Sequence, residues 1–168
     1  MSATAGTATA SGGILTLSPN AGPSAAIYVT SVGSYSLNGS QTSTKVVAVV
    51  DPGGNINNKF IVRAPGNQNE LGWQYEHGIL YAYYRVNGVE TDPGQVTYSA
   101  ATHAYWRVRQ SGTSVYWETS PDGVNYTVQA SVVTGNIPFP LDAVQLEFNV
   151  KAFGAATAAP AKYSNLNQ

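Results

Sequence analysis

Residues 103–127, HAYWRVRQSGTSVYWETSPDGVNYT, combine two alternating segments with two turn sequences, and this pattern restricts them to antiparallel strands. Apolar and polar residues alternate on both sides of Ser-Gly at 111–112, which predicts a two-residue hairpin turn. Ser-Pro-Asp-Gly at 120–123 predicts a second turn, because proline presets its backbone angle and glycine accepts a positive φ. A third strand should follow.

The hairpin turn at 111–112 predicts a definite register. Trp106 then faces Trp117 and Val108 faces Val115, which makes one face of the hairpin apolar. The other face is polar and carries Tyr105, Arg107, Arg109, Tyr116 and Glu118.

Four motifs in this segment resemble those of a known group of modules. They are Trp-Arg-Val-Arg at 106–109, the glycine at 112, Tyr-Trp-Glu at 116–118 and Ser-Pro-Asp-Gly-Val-Asn-Tyr-Thr at 120–127. The segment resembles the C-terminal half of laminin-G-like, concanavalin A-like jelly-roll modules of bacterial and phage proteins. The resemblance implies a two-sheet sandwich. It implies no single activity, since such modules bind sugars, serve as accessory domains or build particle surfaces.

The rest of the chain predicts further short strands separated by turns, with no sustained helical periodicity. This pattern predicts an all-β fold with a strand count that suits a sandwich, and the resemblance implies a two-sheet antiparallel jelly-roll sandwich over residues 14–168. The turn signals include Asp-Pro-Gly at 92–94. The other strand candidates are 14–17, 26–31, 35–37, 45–50, 59–63, 72–76, 79–86, 126–132, 143–151 and 161–166.

Residues 1–13 consist of small and hydroxyl side chains after the first methionine, a composition that cannot build a core. We expect a flexible N-terminal arm, held either by neighbouring copies or other proteins of an assembly or by its own domain. The arm has neither the basic nor the apolar region of a secretory signal peptide.

The composition argues against several classes of partner. With only eight Lys and Arg and a net charge of −1, the chain lacks a basic nucleic-acid surface. No apolar run is long enough to span a bilayer, and no cysteine is available for disulfides or thiolate metal sites. Charged residues are 10% of the chain against the usual quarter, which suits an extracellular or virion surface.

No catalytic pattern is evident in the sequence. The jelly-roll glucanases use a Glu-x-Asp-x-x-Glu strand motif that is absent here, and Glu147 has no second carboxylate in its strand. Glu76 beside His77 is an isolated pair without a nucleophile motif. We therefore expect a protein that is not an enzyme.

Two features of the sequence suggest ligand contacts. Tyr81, Tyr83 and Arg85 share one face of the strand at 79–86, and Trp73 and Tyr75 share a parity on its neighbour, so together they could form a platform for a sugar ring. The alternative is that these aromatic residues belong to the core.

The polar hairpin face is the second candidate, because arginine donors recognise sugar hydroxyls or carboxylates. Its alternative is a cross-strand ladder in which Arg107 pairs diagonally with Glu118. The sequence implies no cofactor. Calcium is possible at Asp51, Asp92 and Asp122, although turn formation explains each of them equally well.

The first functional hypothesis is a non-enzymatic structural or surface module of a larger assembly, foremost a phage virion, as a capsid decoration or tail protein whose exposed face could also contact glycans. The alternative is a carbohydrate-binding module of an extracellular protein, with polysaccharide as the partner.

Overall fold

The alternating segments form antiparallel strands in the computed structural model of the protein, which describes residues 2–3, 6–20, 25–49, 56–66, 68–153 and 160–167. The strands are β1 (Ser2–Ala3), β2 (Gly6–Ser11), β3 (Ile14–Pro19), β4 (Ala26–Thr30), β5 (Gln41–Ala48), β6 (Ile56–Arg63), β7 (Glu70–Glu76), β8 (Ile79–Val86), β9 (Val89–Thr97), β10 (Tyr105–Ser111), β11 (Ser114–Ser120), β12 (Thr127–Val133), β13 (Gln145–Ala152) and β14 (Ala161–Asn167). One 3₁₀ turn, Thr134–Asn136, follows β12. The described residues include no helix long and apolar enough to cross a membrane.

The strands form two seven-stranded antiparallel sheets that pack face to face. Sheet A has the order β1-β4-β13-β6-β7-β8-β9, and sheet B has the order β12-β11-β10-β5-β14-β3-β2. The expected all-β sandwich is confirmed. Side chains alternate between the interior and the outer face of each sheet, as in β13, where Leu146, Phe148 and Val150 point inward.

Three fully buried tryptophans, Trp73, Trp106 and Trp117, lie in the core between the sheets, as expected of aromatic residues at alternating positions. Two of them also bind the opposite sheet. The Trp117 indole in sheet B donates to the Gly72 carbonyl at 2.8 Å, and the Trp73 indole in sheet A donates to the Arg107 carbonyl at 3.0 Å. These bonds satisfy indole N–H groups that burial would otherwise leave unpaired.

The β10–β11 hairpin keeps the predicted faces, but its register differs from the prediction. Val108 lies opposite Trp117, and Arg107 lies directly opposite Glu118. The turn is at 112–113 because Gly112 has a φ of +58°, which a type II′ turn requires at its first central position. The sequence-based prediction places Gly112 at the second central position of the turn. Because the turn lies one residue later than predicted, each residue of β10 is paired with a residue of β11 two positions further along. A shift of two positions keeps every side chain on its predicted face.

Asp-Pro-Gly at 92–94 is not a turn between strands. These residues lie within β9, a strand absent from our prediction, and the register between β8 and β9 shifts at this point. The extra residue forms a bulge, and proline is tolerated because β9 is an edge strand.

Residues 6–11 belong to sheet B. They form β2, which pairs with β3 across a turn at Gly12 and Gly13, both with positive φ, while Ser2–Ala3 pairs with β4 of sheet A. Backbone hydrogen bonds hold β2, so its small side chains need bury little area. In the described part of the arm, the alternative that it packs against its own domain is the one observed.

Two smaller assignments also differ from the prediction. Residues 35–37 contribute a single bridge, from Tyr35 to Val144, in place of a strand. The strand near 45–50 is central in sheet B as expected, but of residues 45–49, which the structure describes, only Val46 is buried, and Val47 is exposed on the outer face.

Candidate functional site

A cleft of about 470 Å³ lies on the outer face of sheet A, and we call it the charged cleft. Alternate residues of the central strands β13, β6, β7 and β8 and of the edge strand β9 point into it. The charged residues that line it are Lys59, Arg63, Glu70, Glu76, Arg85, Glu90 and Lys151, with the amides of Asn57, Gln74 and Asn149 between them.

Strand register brings opposite charges together at one end of the charged cleft. Arg63 in β6 lies opposite Glu70 in β7, and Glu70 lies opposite Arg85 in β8. Arg63 Nη2 is 2.6 Å from Glu70 Oε2, and Arg85 Nη1 is 3.2 Å from Glu70 Oε1. Arg85 also pairs with Glu90 of β9. Glu70 is only 4% exposed and is thus a buried carboxylate between two guanidinium groups.

Arg63 extends this network to a second buried carboxylate, Glu147 of β13. Arg63 Nη1 lies 3.1 Å from Glu147 Oε2, which also accepts a bond from the Thr30 hydroxyl at 2.9 Å. Glu147 Oε1 accepts a bond from Asn149 at 3.3 Å. Both oxygens of Glu147 are therefore engaged, as are both oxygens of Glu70. The second carboxylate that sequence reasoning did not find near Glu147 belongs to another strand.

Tyr83 lies on the outer face of sheet A, as predicted, but it is fully buried there. Its ring lies 4.3 Å from Lys59 Nζ, and its hydroxyl donates to Glu70 Oε1 at 3.3 Å. Burial raises the pKa of Tyr83, and burial also lowers the pKa of Lys59 against the opposing effect of Glu90. Tyr83 therefore packs beneath Lys59 and Glu70, and its buried ring has no exposed face to stack on a sugar.

Tyr81 remains partly exposed beside the charged cleft, although it is not part of the lining, whereas Trp73 and Tyr75 are buried in the core. Tyr81 is half-buried on the outer face and lies opposite Gln74. Trp73 and Tyr75 lie on the interior face, where they pair with Ala82 and Leu80 of the core. The possible extension of the platform onto β7 is therefore wrong, and the alternative that these aromatic residues belong to the core is the one observed, since parity within one strand does not tell which face the next strand presents.

Three polar atoms that line the charged cleft have no hydrogen-bond partner among the described residues. They are Asn57 Oδ1, Gln74 Oε1 and Arg63 Nε, and the fourth such buried atom, Tyr163 Oη, lies in the core. A buried polar atom without a partner costs free energy, so these atoms favour a ligand or solvent that supplies one. The atoms themselves are buried, and they belong to side chains that line the cleft.

The apolar part of the lining includes Phe153 at the rim. It is 46% exposed, and Lys151 Nζ lies 4.9 Å from its ring. Sequence reasoning did not find Phe153, which follows β13 without any turn signal. Glu70 was also missed, although the turn signal at 64–67 could have placed it opposite Arg63.

The polar face of the β10–β11 hairpin forms a compact ladder on sheet B. Glu118 is 2% exposed and accepts bonds from Arg107 Nε at 2.7 Å and Arg109 Nη2 at 2.9 Å. Burial alone would raise the pKa of Glu118, but the hydrogen bonds from Arg109 and Arg107 outweigh it and hold that pKa below its ordinary value.

Two tyrosines cover the arginines of this ladder. Arg107 stacks at 3.5 Å on Tyr126, and Arg109 stacks at 4.4 Å on Tyr116. Tyr105 packs over Gly123, where an added Cβ would lie 2.9 Å from the ring. The arginine, glutamate and tyrosine side chains of this face thus contact each other, as the ladder interpretation predicts.

The described residues contain no group of three or more His, Cys, Asp or Glu side chains that could hold a metal ion. Asp122 accepts bonds from the backbone N–H groups of Val124 and Asn125 and from the Asn125 amide, and these bonds lower its pKa. Asp92 lies in the β9 bulge, and Asp51 is outside the described residues.

Comparison with known proteins identifies the architecture. No family model matches the sequence, and no curated protein matches it. Among solved structures, a glycoside hydrolase family 16 endo-glucanase from Bacteroides ovatus superposes with a TM-score of 0.65 at 7% identity, covering 99% of this chain and 86% of that one. The fold is the concanavalin-like jelly roll.

Two other solved structures match over nearly the whole chain. The carbohydrate-binding module CBM66 from Bacillus subtilis matches with a TM-score of 0.56 at 9% identity, covering 98% of this chain and 92% of that one. A legume lectin-like domain from Entamoeba histolytica matches with a TM-score of 0.61 at 8% identity, covering 97% and 86%. At these identities the likeness concerns the fold.

Proposed function

We propose that this protein is a carbohydrate-binding module without enzymatic activity and that its binding site is the charged cleft. The observation that carries the proposal is the set of unpartnered polar atoms of Asn57, Gln74 and Arg63 along one concave surface. Sugar hydroxyls both donate and accept hydrogen bonds, so a lining that mixes amide, carboxylate and guanidinium groups suits them. Tyr81 and Phe153 supply aromatic surface at its edges.

The solved jelly rolls support this alternative better than the assembly hypothesis. They include a carbohydrate-binding module, a lectin-like domain and glycoside hydrolases, and none of the three described above is named as a virion protein. Membership of a virion or another assembly, and a virion or extracellular location, remain predictions from composition.

The state of the buried carboxylates supports binding without hydrolysis. A glycosidase needs one carboxyl group free to protonate the leaving oxygen and another free to attack or to activate water. Here the oxygens of Glu70 and Glu147 contact Arg63, Arg85 and neighbouring donors. The two more exposed carboxylates of the cleft are also held, Glu90 by Arg85 and Lys59 and Glu76 by the Gln74 amide. We therefore expect none of these four groups to be free to meet a glycosidic bond.

The test is retention on a panel of neutral and acidic polysaccharides in affinity electrophoresis, followed by calorimetry on the best ligand. Gln74→Ala combined with Tyr81→Ala removes an amide and the opposing ring without breaking the arginine network, and we expect a loss of affinity of tenfold or more, about 1.4 kcal/mol. Tyr116→Ala, on the outer face of sheet B, is the matched control and should bind like the wild type.

Three outcomes would contradict the proposal in different ways. If no polysaccharide retains the wild type, the protein is not a carbohydrate-binding module. If only Tyr116→Ala loses retention, the site is the ladder of sheet B. If the wild type shortens a polysaccharide that it binds, the absence of catalysis is wrong.

A further inference from the structure

The edge strand β2 leaves backbone groups without partners among the described strands of its sheet. Gly12 and Gly13 form a two-residue turn with positive φ at both positions, so the flanking pair Ser11–Ile14 is hydrogen-bonded. Bonded pairs recur at every second residue, which leaves the N–H and C=O groups of Gly6, Ala8 and Ala10 pointing away from β3.

The edge formed by β2 lacks the features that protect edges elsewhere in this molecule. β1 has only two described residues, and β9 carries Glu90, Asp92, Pro93 and a bulge. The β12 edge is covered by β9, since a Cβ at Gly94 would lie 3.1 Å from the Gln129 carbonyl. β2 has neither charge nor proline and is largely exposed. Natural sheets seldom leave such an edge open.

We propose that β2 is the interface of a homodimer in which the β2 strands of two copies pair antiparallel about a two-fold axis at Ala8. This register pairs Gly6 with Ala10 of the second copy and Ala8 with its own equivalent, giving about six backbone hydrogen bonds. No other two-fold register over residues 6–11 uses all three outward-facing residues in both copies. A second copy is the favoured occupant because the edge is uncharged and complements itself under the two-fold operation.

The side chains are compatible with this pairing on both faces. Ala8 packs toward the core, so Thr7 and Thr9 lie on the outer face, where both are exposed. In the dimer, Thr7 of one copy lies opposite Thr9 of the other, a favourable cross-strand pair. The two sheets B would merge into one continuous sheet, with both charged clefts on the same side of it and available to one polymer.

Charge substitutions at these two threonines test both the interface and its register. In T7K/T9K, lysines of the two copies face each other, and we expect a change from twice the chain mass of 17.6 kDa to the chain mass in sedimentation velocity. In T7K/T9E, each lysine faces a glutamate of the other copy, so the dimer should persist. Neither variant places a charge opposite another on β3, where the partners are Ser18 and Thr16.

The result that overturns the proposal is a wild type that sediments as a monomer from micromolar to near-millimolar concentration. A T7K/T9K variant that stays dimeric would also overturn it. A T7K/T9E variant that folds but is monomeric would contradict the proposed register. It would fit a different register with the two-fold axis at Thr9, in which the glutamates introduced at this position in the two copies would lie opposite each other and repel. Thermal melts of all three proteins show whether the fold is intact. Glycan binding by the monomeric variant separates this result from the proposed function.

Discussion

Arg63 organises the charged cleft at the scale of single residues. Its guanidinium contacts buried carboxylates from two different strands, Glu70 and Glu147, and its Nε has no partner among the described residues. Bidentate geometry suits arginine to this role, which lysine could not fill in the same way. The sequence shows each of these charges separately, but only strand pairing brings them within hydrogen-bond distance.

A residue-scale prediction concerns Glu118. We expect Glu118→Gln to lower the free energy of unfolding by about 2 kcal/mol at neutral pH, because Arg107 and Arg109 lose a buried ionised partner. The folded-state pKa of Glu118 lies below its ordinary value of 4.5, so its contribution is complete above that value and is lost as pH falls through the folded pKa.

Urea unfolding of the wild type and of Glu118→Gln between neutral and acid pH measures this difference. The difference should shrink on acidification, and Asp142→Asn, at an exposed carboxylate, should differ little from the wild type throughout. A difference between the wild type and Glu118→Gln that does not change with pH would contradict the assignment of the stabilisation to ionised Glu118.

At the scale of elements, glycines control where strands turn and how closely they approach. Gly112 determines the β10–β11 register through its positive φ, and Gly72 allows β6 and β7 to pair closely. A Cβ at Gly72 would lie 2.1 Å from the Phe60 carbonyl oxygen, and the Gly72 carbonyl accepts the Trp117 indole bond between the sheets. The composition of β7 alone does not reveal either contact.

The element-scale prediction is that Gly72→Ala destabilises the fold by about 3 kcal/mol, because the methyl group must displace backbone of β6. Gly135→Ala is the matched control, since no atom lies within 4 Å of the Cβ that it adds, and it should change stability by less than about 0.5 kcal/mol. Denaturant unfolding compares the two variants. Equal stabilities would show that β6 and β7 can separate at little cost.

At the scale of the whole molecule, the described part of the N-terminal segment joins two sheets. Residues 2–3 pair with β4 of sheet A and residues 6–11 pair with β3 of sheet B. β2 nevertheless buries little apolar surface, since five of its six residues are polar, glycine or exposed alanine. Backbone pairing therefore fixes the position of this segment, while its side chains contribute little to the core.

We accordingly predict that deletion of residues 1–13 lowers the melting temperature by only about 5 °C, because few apolar contacts are lost. Glycan retention should persist, as the charged cleft lies on the outer face of sheet A. Calorimetry and affinity electrophoresis on the truncated protein measure both properties. Loss of the cooperative transition would mean that this segment is an integral part of the core.

Features that depend on neighbouring residues could be predicted from the sequence, whereas features that depend on residues far apart in the chain could not. The family resemblance implied the two-sheet sandwich. Alternation and turn residues predicted most strands and the apolar hairpin face that carries Trp106 and Trp117, since strand formation depends on neighbouring residues. They failed where a bulge replaced a turn at 92–94 and where backbone pairing alone held residues 6–11.

The sequence by itself determined which residues of each strand share a face, because side chains alternate with a period of two. Only the tertiary structure decided that Trp73 and Tyr75 point inward while Gln74 faces Tyr81, and that Glu70 and Glu147 converge on Arg63. The physical reason is that a face becomes interior or exterior through packing against a second sheet. Contacts between strands far apart in the chain likewise depend on sheet order, which no local pattern encodes.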